Sequence, residues 1–453
     1  MSVTMALFTR DLRVCDNPVL AAAARGASRT VAAFVLDDSI LSSSFSTPNK
    51  AAFLVAALTE LDEQLRRLGA QLVVRHGDVV DEVARLVDEC SITDVHIAAD
   101  VSAYSAHREN ELRARLADRH CRLHSHEASI TVFPSARLTP RSDAEHFSVF
   151  TPYYRHWAHT PVRAVVPTPA TLRTPAVRSE ALPSAAQLCR GTSSPQLRVG
   201  GEIAGRALLA EWLSGPVDDY ERSHNDLAAD ATSHLSPYLH FGCVSPVEVV
   251  RRTGTATQGR QAFTRQLAWR DFHHQLLAAR PDATQHDYRG RQVDRQHDAA
   301  LLAAWRGART GYPIVDAGMR QLAAQGWMHN RARLITASFL TKTLRLDWRL
   351  GAAHFMGLLV DADVANNQLN WQWVAGTGTD TRPHRVLNPV RQAQRYDPDG
   401  GYVRRWLPEL AALPAAHIHA PWEQGSPPTS GYPAPVVDHL AAARVFRAAR
   451  AGK

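Results

Sequence analysis

Lysine is almost missing from this chain. Only Lys50, Lys342 and Lys453 occur among 51 basic residues, so arginine carries nearly all the positive charge. With the alanine-rich composition, this marks a GC-rich coding sequence rather than a function. Cysteine is scarce too. Cys15, Cys90, Cys121, Cys189 and Cys243 lie far apart with no CxxC pair, which excludes a disulfide framework and a cysteine-based zinc site. No apolar run approaches the ~20 residues of a membrane helix, and Arg10 and Asp11 come too early for a signal peptide. A soluble, cytoplasmic protein without membrane contact is expected. GxGxxG, GxxxxGK[ST], HExxH, GxSxG and the HxE with PCxxC pair are all absent. The usual dinucleotide, P-loop, zinc protease, esterase and nucleobase deaminase signatures are thereby excluded.

What is present is a 453-residue chain, 45% hydrophobic and 21% charged, long enough for two or three domains. The net charge of +7 favours a polyanionic partner. Over residues 1–128, β-branched runs at Val3 to Phe8, Thr30 to Leu36, Gln71 to Arg75 and Asp94 to Ala98 alternate with amphipathic segments such as Ala51 to Leu68. Asn17-Pro18 reads as a helix cap followed by proline at the first helical position. The alternation predicts a doubly wound α/β domain with a parallel sheet. Residues 129–200, with six prolines between Pro161 and Pro195, read as a surface linker. Residues 201–453 read as an all-α domain, with helices at Ala204 to Leu213, Pro246 to Arg252, Gln261 to Ala279, Ala299 to Arg306, Asp316 to Ala324, Arg331 to Leu344 and Leu350 to Leu359.

Four constellations in the second half carry chemistry. Asp361-Ala362-Asp363 could bind a metal, but a lone DxD arises readily by chance. The run behind it, Asn366-Asn367-Gln368-Leu369-Asn370-Trp371-Gln372-Trp373, offers amides and indoles suited to a planar heterocycle such as a nucleobase or flavin. No metal is expected. Gln266, Trp269 and Arg270, spaced i, i+3 and i+4, share one helix face that would rarely be buried without a polar partner. Trp327 to Arg333 repeats the aromatic, amide and guanidinium mixture. Thr232 to Tyr238 is a hydroxyl-rich run entering a helix, where phosphate could be held, although a plain cap explains it equally well taken alone.

These motifs together resemble the DNA photolyase and cryptochrome family. The resemblance runs from Phe8-Thr9-Arg10-Asp11-Leu12-Arg13 through Thr232 to Tyr238, Trp269-Arg270-Asp271-Phe272, Thr310 to Asp316 and Gly326 to Arg331 to Asn370 to Asp380. The chain looks most like the class I cyclobutane pyrimidine dimer photolyases of actinobacterial type. The resemblance implies FAD in the helical domain. Its phosphates would lie against Tyr220, Thr232, Ser233, His234, Leu235 and Ser236, and Phe263, Arg270, Asn330, Arg333, Asp361, Asp363 and Asn367 would surround the rest, with Asn367 beside flavin N5. It also implies UV-damaged DNA as partner to a monomer, light-driven electron donation to a flipped-out dimer, and return of the electron after ring splitting. Gln266, Trp269, Asn330, Arg331, Trp373 and Arg385 would meet the DNA, with Trp269 and Trp373 as stacking walls. Trp371 and Trp348 match the inner two tryptophans of the family's electron relay.

Three departures qualify the resemblance. Gln266 replaces a glutamate common in dimer photolyases and also occurs in the six-four branch. That branch, however, uses two histidines where this chain has Asn330 and Leu334. The outermost relay tryptophan should fall near Asp294-Arg295-Gln296-His297, yet no tryptophan lies between Trp269 and Trp305. Inefficient or rerouted photoreduction is therefore expected, with Tyr288 as a substitute. A second, antenna chromophore is expected in the α/β domain. Ala106-His107-Arg108-Glu109 lacks the Asn-Glu pair of the folate type, which favours 8-hydroxy-5-deazaflavin over methenyltetrahydrofolate. A cryptochrome-type blue-light receptor is disfavoured by Trp269 and by the short Ala/Arg-rich helix after Pro433, ending at Lys453, which leaves no long disordered tail.

Overall fold

The computed structural model describes residues 2–140, 144–290, 295–424 and 431–451; Asp294 and Lys453, named above, lie outside them. Five strands, β1 Val3–Leu7, β2 Arg29–Asp37, β3 Leu72–Gly77, β4 Ile92–Ala98 and β5 Arg122–His126, form a wholly parallel sheet in the order β3-β2-β1-β4-β5. Every residue of β1 is buried, as is all of β2 after Arg29, because helices cover both faces. Such strands read as continuous apolar runs, which is why they were visible in the sequence. Strand order reverses at β1, which pairs with β2 on one side and β4 on the other. In open α/β sheets, ligands bind beyond the carboxyl ends of strands at such a reversal.

Local chemistry sets the helix starts. Asn17 caps the helix Pro18–Ala24 by accepting from Leu20 N at 3.0 Å, with proline at the first position as expected. Thr47, Asp78 and Ser102 cap the helices Pro48–Arg67, Val79–Cys90 and Ala103–Ala117 in the same way, each cap contributing about 1 kcal/mol.

The 129–200 stretch is more structured than a surface linker. It contains the helix Phe150–His159, which buries Tyr153 and Trp157, and its segment around Leu172 to Glu180 hydrogen-bonds to backbone at Leu68 and Val74. The six prolines between Pro161 and Pro195 point to a linker on their own. A short aromatic helix between proline-rich extended segments gives no sign against it.

By internal contacts the chain forms two compact units. One comprises Met1–Ser193, Arg198–Asp219 and Ser233–Pro281; the other comprises Ser194–Leu197, Tyr220–Thr232 and Asp282–Lys453. The long helix Gln258–Ala279 thus belongs with the sheet rather than with the later helices. The second unit packs Trp305, Trp348, Phe339, Leu340, Met319 and Val315 into one core. The helix expected over Arg331 to Leu344 is α-helical over Asn330–Ser338 and then widens to a π-turn over Phe339–Thr343, where Leu344 N reaches back to Phe339 O at 2.9 Å. Thr341 Oγ1 bonds the Ala337 carbonyl at 2.7 Å, competing with the ladder there.

Candidate active site

The helices Asn330–Ser338, Trp348–Leu358 and Val364–Ala375 of the second unit line an open pocket. Five of the expected residues line it: Asn330, Arg333, Asp361, Asn367 and Trp371. Arg333 holds Asp361 through two bonds, Nη1 to Oδ1 at 3.1 Å and Nη2 to Oδ2 at 2.8 Å, while its Nε donates to Met328 O at 2.7 Å. The Asp361 side chain is only 2% exposed, so without the guanidinium it would be a buried lone charge. Asp363 does something else. It caps the helix Val364–Ala375 by accepting from Asn366 N at 2.6 Å and from Asn366 Nδ2. The two carboxylates of the DxD are therefore spent on an arginine and a helix cap rather than on a metal.

Asn367 is buried, and its Nδ2 donates to the Ala352 carbonyl at 3.0 Å. Because only the amide nitrogen can make that bond, the orientation is decided, and the oxygen is left as an acceptor. Leu334, Phe355, Leu359 and Val374 add apolar surface to the lining. Trp371 packs edge-on against Phe355 at 4.9 Å and Trp305 at 6.1 Å. Gly351 permits this packing, since a Cβ there would come within 2.2 Å of the Trp371 ring. A slot with apolar lining, a fixed amide acceptor and a held guanidinium suits a flat, hydrogen-bonding heterocycle.

Other expected residues of this unit lie outside that pocket lining. Tyr220 is mostly buried, which pushes its hydroxyl above the usual range. Thr232 Oγ1 is buried with no hydrogen-bond partner among the described residues, which leaves a donor for a ligand. Arg331 donates to Asn225 Oδ1 and lies 4.4 Å over the Tyr396 ring, Trp373 is half-buried, and Arg385 is exposed. Trp348 is buried and donates its indole N–H to Asp287 Oδ1 at 2.8 Å.

In the first unit, Gln266, Trp269 and Arg270 do share a face of the helix Gln258–Ala279. Trp269 is half-exposed, and one face stacks on Phe150 at 3.7 Å and 7°. That contact holds the indole as a rigid plate. Gln266 makes no hydrogen bond to a described residue. Arg270 gives two N–H groups to the carbonyls of Ile130 and Leu239. The neighbouring Asp271 accepts from Val132 N, Phe133 N and Trp157 Nε1, and burial pushes its carboxyl up to about 6. Phe263 is buried edge-on against Trp212. Ser233 Oγ accepts from Leu235 N at 3.4 Å, His234 is left-handed at φ 50°, and Ser236 starts a helix of only five residues, Ser236–His240.

The description "FAD binding domain of DNA photolyase" matches residues 263–451, and "DNA photolyase" matches residues 4–172. The deoxyribodipyrimidine photo-lyase of Streptomyces griseus is 54% identical, with 99% of each chain covered. The chain belongs to the DNA photolyase family.

Two solved photolyases are similar throughout their length. A bacterial class III photolyase from Agrobacterium tumefaciens superposes with a TM-score of 0.92 at 32% identity, covering 100% of this chain and 97% of that one. An archaeal photolyase from Sulfolobus tokodaii, described with two FAD molecules, gives 0.88 at 30% identity with 100% of both chains covered.

Within this photolyase chain a second polar cluster lies beyond the carboxyl ends of β1, β2 and β4, where strand order reverses. Arg10 pairs with Asp100 at 3.1 Å and reaches His240 Nδ1 at 3.5 Å; Tyr104 donates to Asp37. Asp100 is held down at about 2 against the cost of its burial, chiefly by Arg10. Arg108 is buried and its Nε and Nη2 have no hydrogen-bond partner among the described residues. Desolvation lowers its pKa, an unusual state for a guanidinium. No local pattern separates a buried arginine such as Arg108 from a solvated one, and nothing local marks Phe355, Leu359 or Asp287, whose roles depend on partners far along the chain.

Proposed function

We propose that this photolyase repairs cyclobutane pyrimidine dimers in UV-damaged DNA, as a monomer, with FAD in the pocket of Asn330, Arg333, Asp361, Asn367 and Trp371. The fixed amide of Asn367 carries the reading. Its free oxygen is an acceptor for a ring N–H such as reduced flavin N5, on the rim of a slot shaped for a flat ring. When bound, reduced FAD would supply the photoexcited electron for splitting the dimer ring and would recover it afterwards, with no net redox change. The residues do the rest. Arg333, tied to Asp361, balances the negative charge of the reduced ring. Thr232 Oγ1 and the hydroxyls behind it, with Tyr220, serve the phosphates. Trp269, braced by Phe150, and Trp373 stack on the flipped bases, at about 1–3 kcal/mol per base. Gln266 and Asn330 hydrogen-bond the pyrimidine edges. Arg331 and Arg385 face backbone phosphate, so binding weakens as salt rises.

Leu334 favours cyclobutane over six-four lesions. It lines the pocket as an apolar side chain where the six-four branch has histidine, and so offers no proton. A second chromophore belongs at the β1/β4 reversal, where Arg108 holds unsatisfied donors for an anionic or carbonyl-bearing ring. We assign 8-hydroxy-5-deazaflavin there, ahead of methenyltetrahydrofolate; the two FAD molecules of the Sulfolobus protein make FAD a third candidate. A binding assay with damaged oligonucleotide followed by illumination tests the function. A repair enzyme turns over under light, a sensor does not, and a light-independent binder behaves alike in both conditions. Extraction and fluorescence of the bound chromophores tests the antenna assignment.

A further inference from the structure

The indole N–H of Trp348 ends on a carboxylate. It donates to Asp287 Oδ1 at 2.8 Å, and the ring is 1% exposed within the core that also holds Trp371. Asp287 is paired with Arg295 and lies 3.4 Å from Arg349. The same two arginines reach Asp347, at 3.5 and 3.1 Å. Two carboxylates and two guanidiniums therefore face one another, and the cluster opens to water through Arg349, 35% exposed. Arg295 stands in the tetrad where an outer tryptophan was expected, and no tryptophan follows Trp269 before Trp305.

Loss of an electron turns an indole N–H from a very weak acid into a strong one. A cation held on a ring cut off from water is costly unless its charge is removed. Arg349 lies 4.8 Å over the Trp348 ring, which raises that cost further. We propose that Asp287 is the proton acceptor that ends the tryptophan relay in this chain. Trp348 passes one electron to oxidised Trp371, and its Nε1 proton moves to Asp287 Oδ1. A neutral indolyl radical and a protonated carboxyl remain. The transfer moves the positive charge off the buried ring and onto the carboxylate and guanidinium cluster, whose net charge rises by one at a place open to water through Arg349. A thiolate in solution then supplies the electron that restores Trp348, Asp287 returns the proton, and the thiolate leaves as a thiyl radical. The shortened relay thus stops on a trapped neutral radical rather than on an exposed outer donor. This inference rests on reading Trp371 and Trp348 as a relay.

Flash excitation of the flavin-loaded protein, followed by transient absorption and electron paramagnetic resonance, tests it. In the unaltered protein the band of the indole radical cation gives way to that of the neutral radical. Asp287→Asn keeps an acceptor oxygen but loses the base, and slows that conversion by at least about tenfold. Neutral radical forming at the unaltered rate in Asp287→Asn overturns the proposal. Trp348→Phe abolishes the neutral-radical signal and leaves only a short-lived radical cation on Trp371; a neutral radical that survives there would defeat the relay reading instead. A measurement without any variant stands beside these. The conversion slows in D2O and is indifferent to buffer concentration, whereas a rate rising with buffer base would show that solvent takes the proton and would likewise overturn it.

Discussion

The helical pocket and the crevice beyond the sheet are both rimmed by arginine and carboxylate, yet they are built in opposite ways. In the pocket the charged pair is tied to protein, Arg333 to Asp361 and Met328 O, and Asn367 is fixed by Ala352 O with its oxygen left for a ligand. In the crevice Arg108 is buried with two nitrogens lacking hydrogen-bond partners among the described residues. A site whose groups are already satisfied is pre-organised, so its ligand meets a rigid frame suited to chemistry. A site with orphaned donors must be completed by its ligand, and a different ring with suitable acceptors would serve as well. The contrast explains why the catalytic cofactor is readable from this fold while the antenna is less so.

The contrast breaks most visibly at Arg333. Arg333→Ala leaves Asp361 buried without a partner, costing about 3 kcal/mol after allowing for the partial exposure of the arginine, and strips bound FAD. Denaturant midpoints and flavin stoichiometry check both effects. Next in size is Trp269→Ala, which weakens binding to dimer-containing DNA by about 2 kcal/mol, roughly thirtyfold, with FAD content unchanged. Titration with damaged and undamaged oligonucleotides separates this from a general loss of DNA affinity.

Acid affects the sheet unit next. Burial and the neighbouring His126 and His124 lower His96 to about 4. The unfolded state then binds more protons than the folded one between the ordinary histidine value and about 4, so stability falls as pH drops through that window. Since His96 is partly exposed, the loss is discounted to about 1 kcal/mol at pH ~5, and His96→Gln removes it in paired urea titrations. The smallest effect is expected from Arg108→Met. Removing an unsatisfied buried charge changes stability by less than about 1 kcal/mol and leaves FAD content intact, while the second chromophore is lost. An equal loss of FAD in that variant would erase the contrast between the two sites.

Much of the fold was legible because its signals are local. The Asn17-Pro18 cap, the buried runs of β1 and β2 and the helix Ala299–Arg306 appear where short-range chemistry puts them. The site was legible as a set of residue types but not as pairings. Arg333, Asp361 and Asp363 were grouped at one site without a pairing; in the structure Arg333 holds Asp361 while Asp363 caps a helix. Asp287 had no local mark at all, since its meaning comes from Trp348, 61 positions away. The assignment of the helix Gln258–Ala279 to the sheet's unit was hidden for the same reason: contacts distant in sequence decide it.

The most direct test loads the chain with FAD, reduces it, and illuminates it with oligonucleotides bearing either a cyclobutane dimer or a six-four product. Light-dependent restoration of the cyclobutane substrate alone, with the six-four product untouched, is the predicted result. Restoration of the six-four product, or no restoration of either by flavin-loaded protein, would contradict the account.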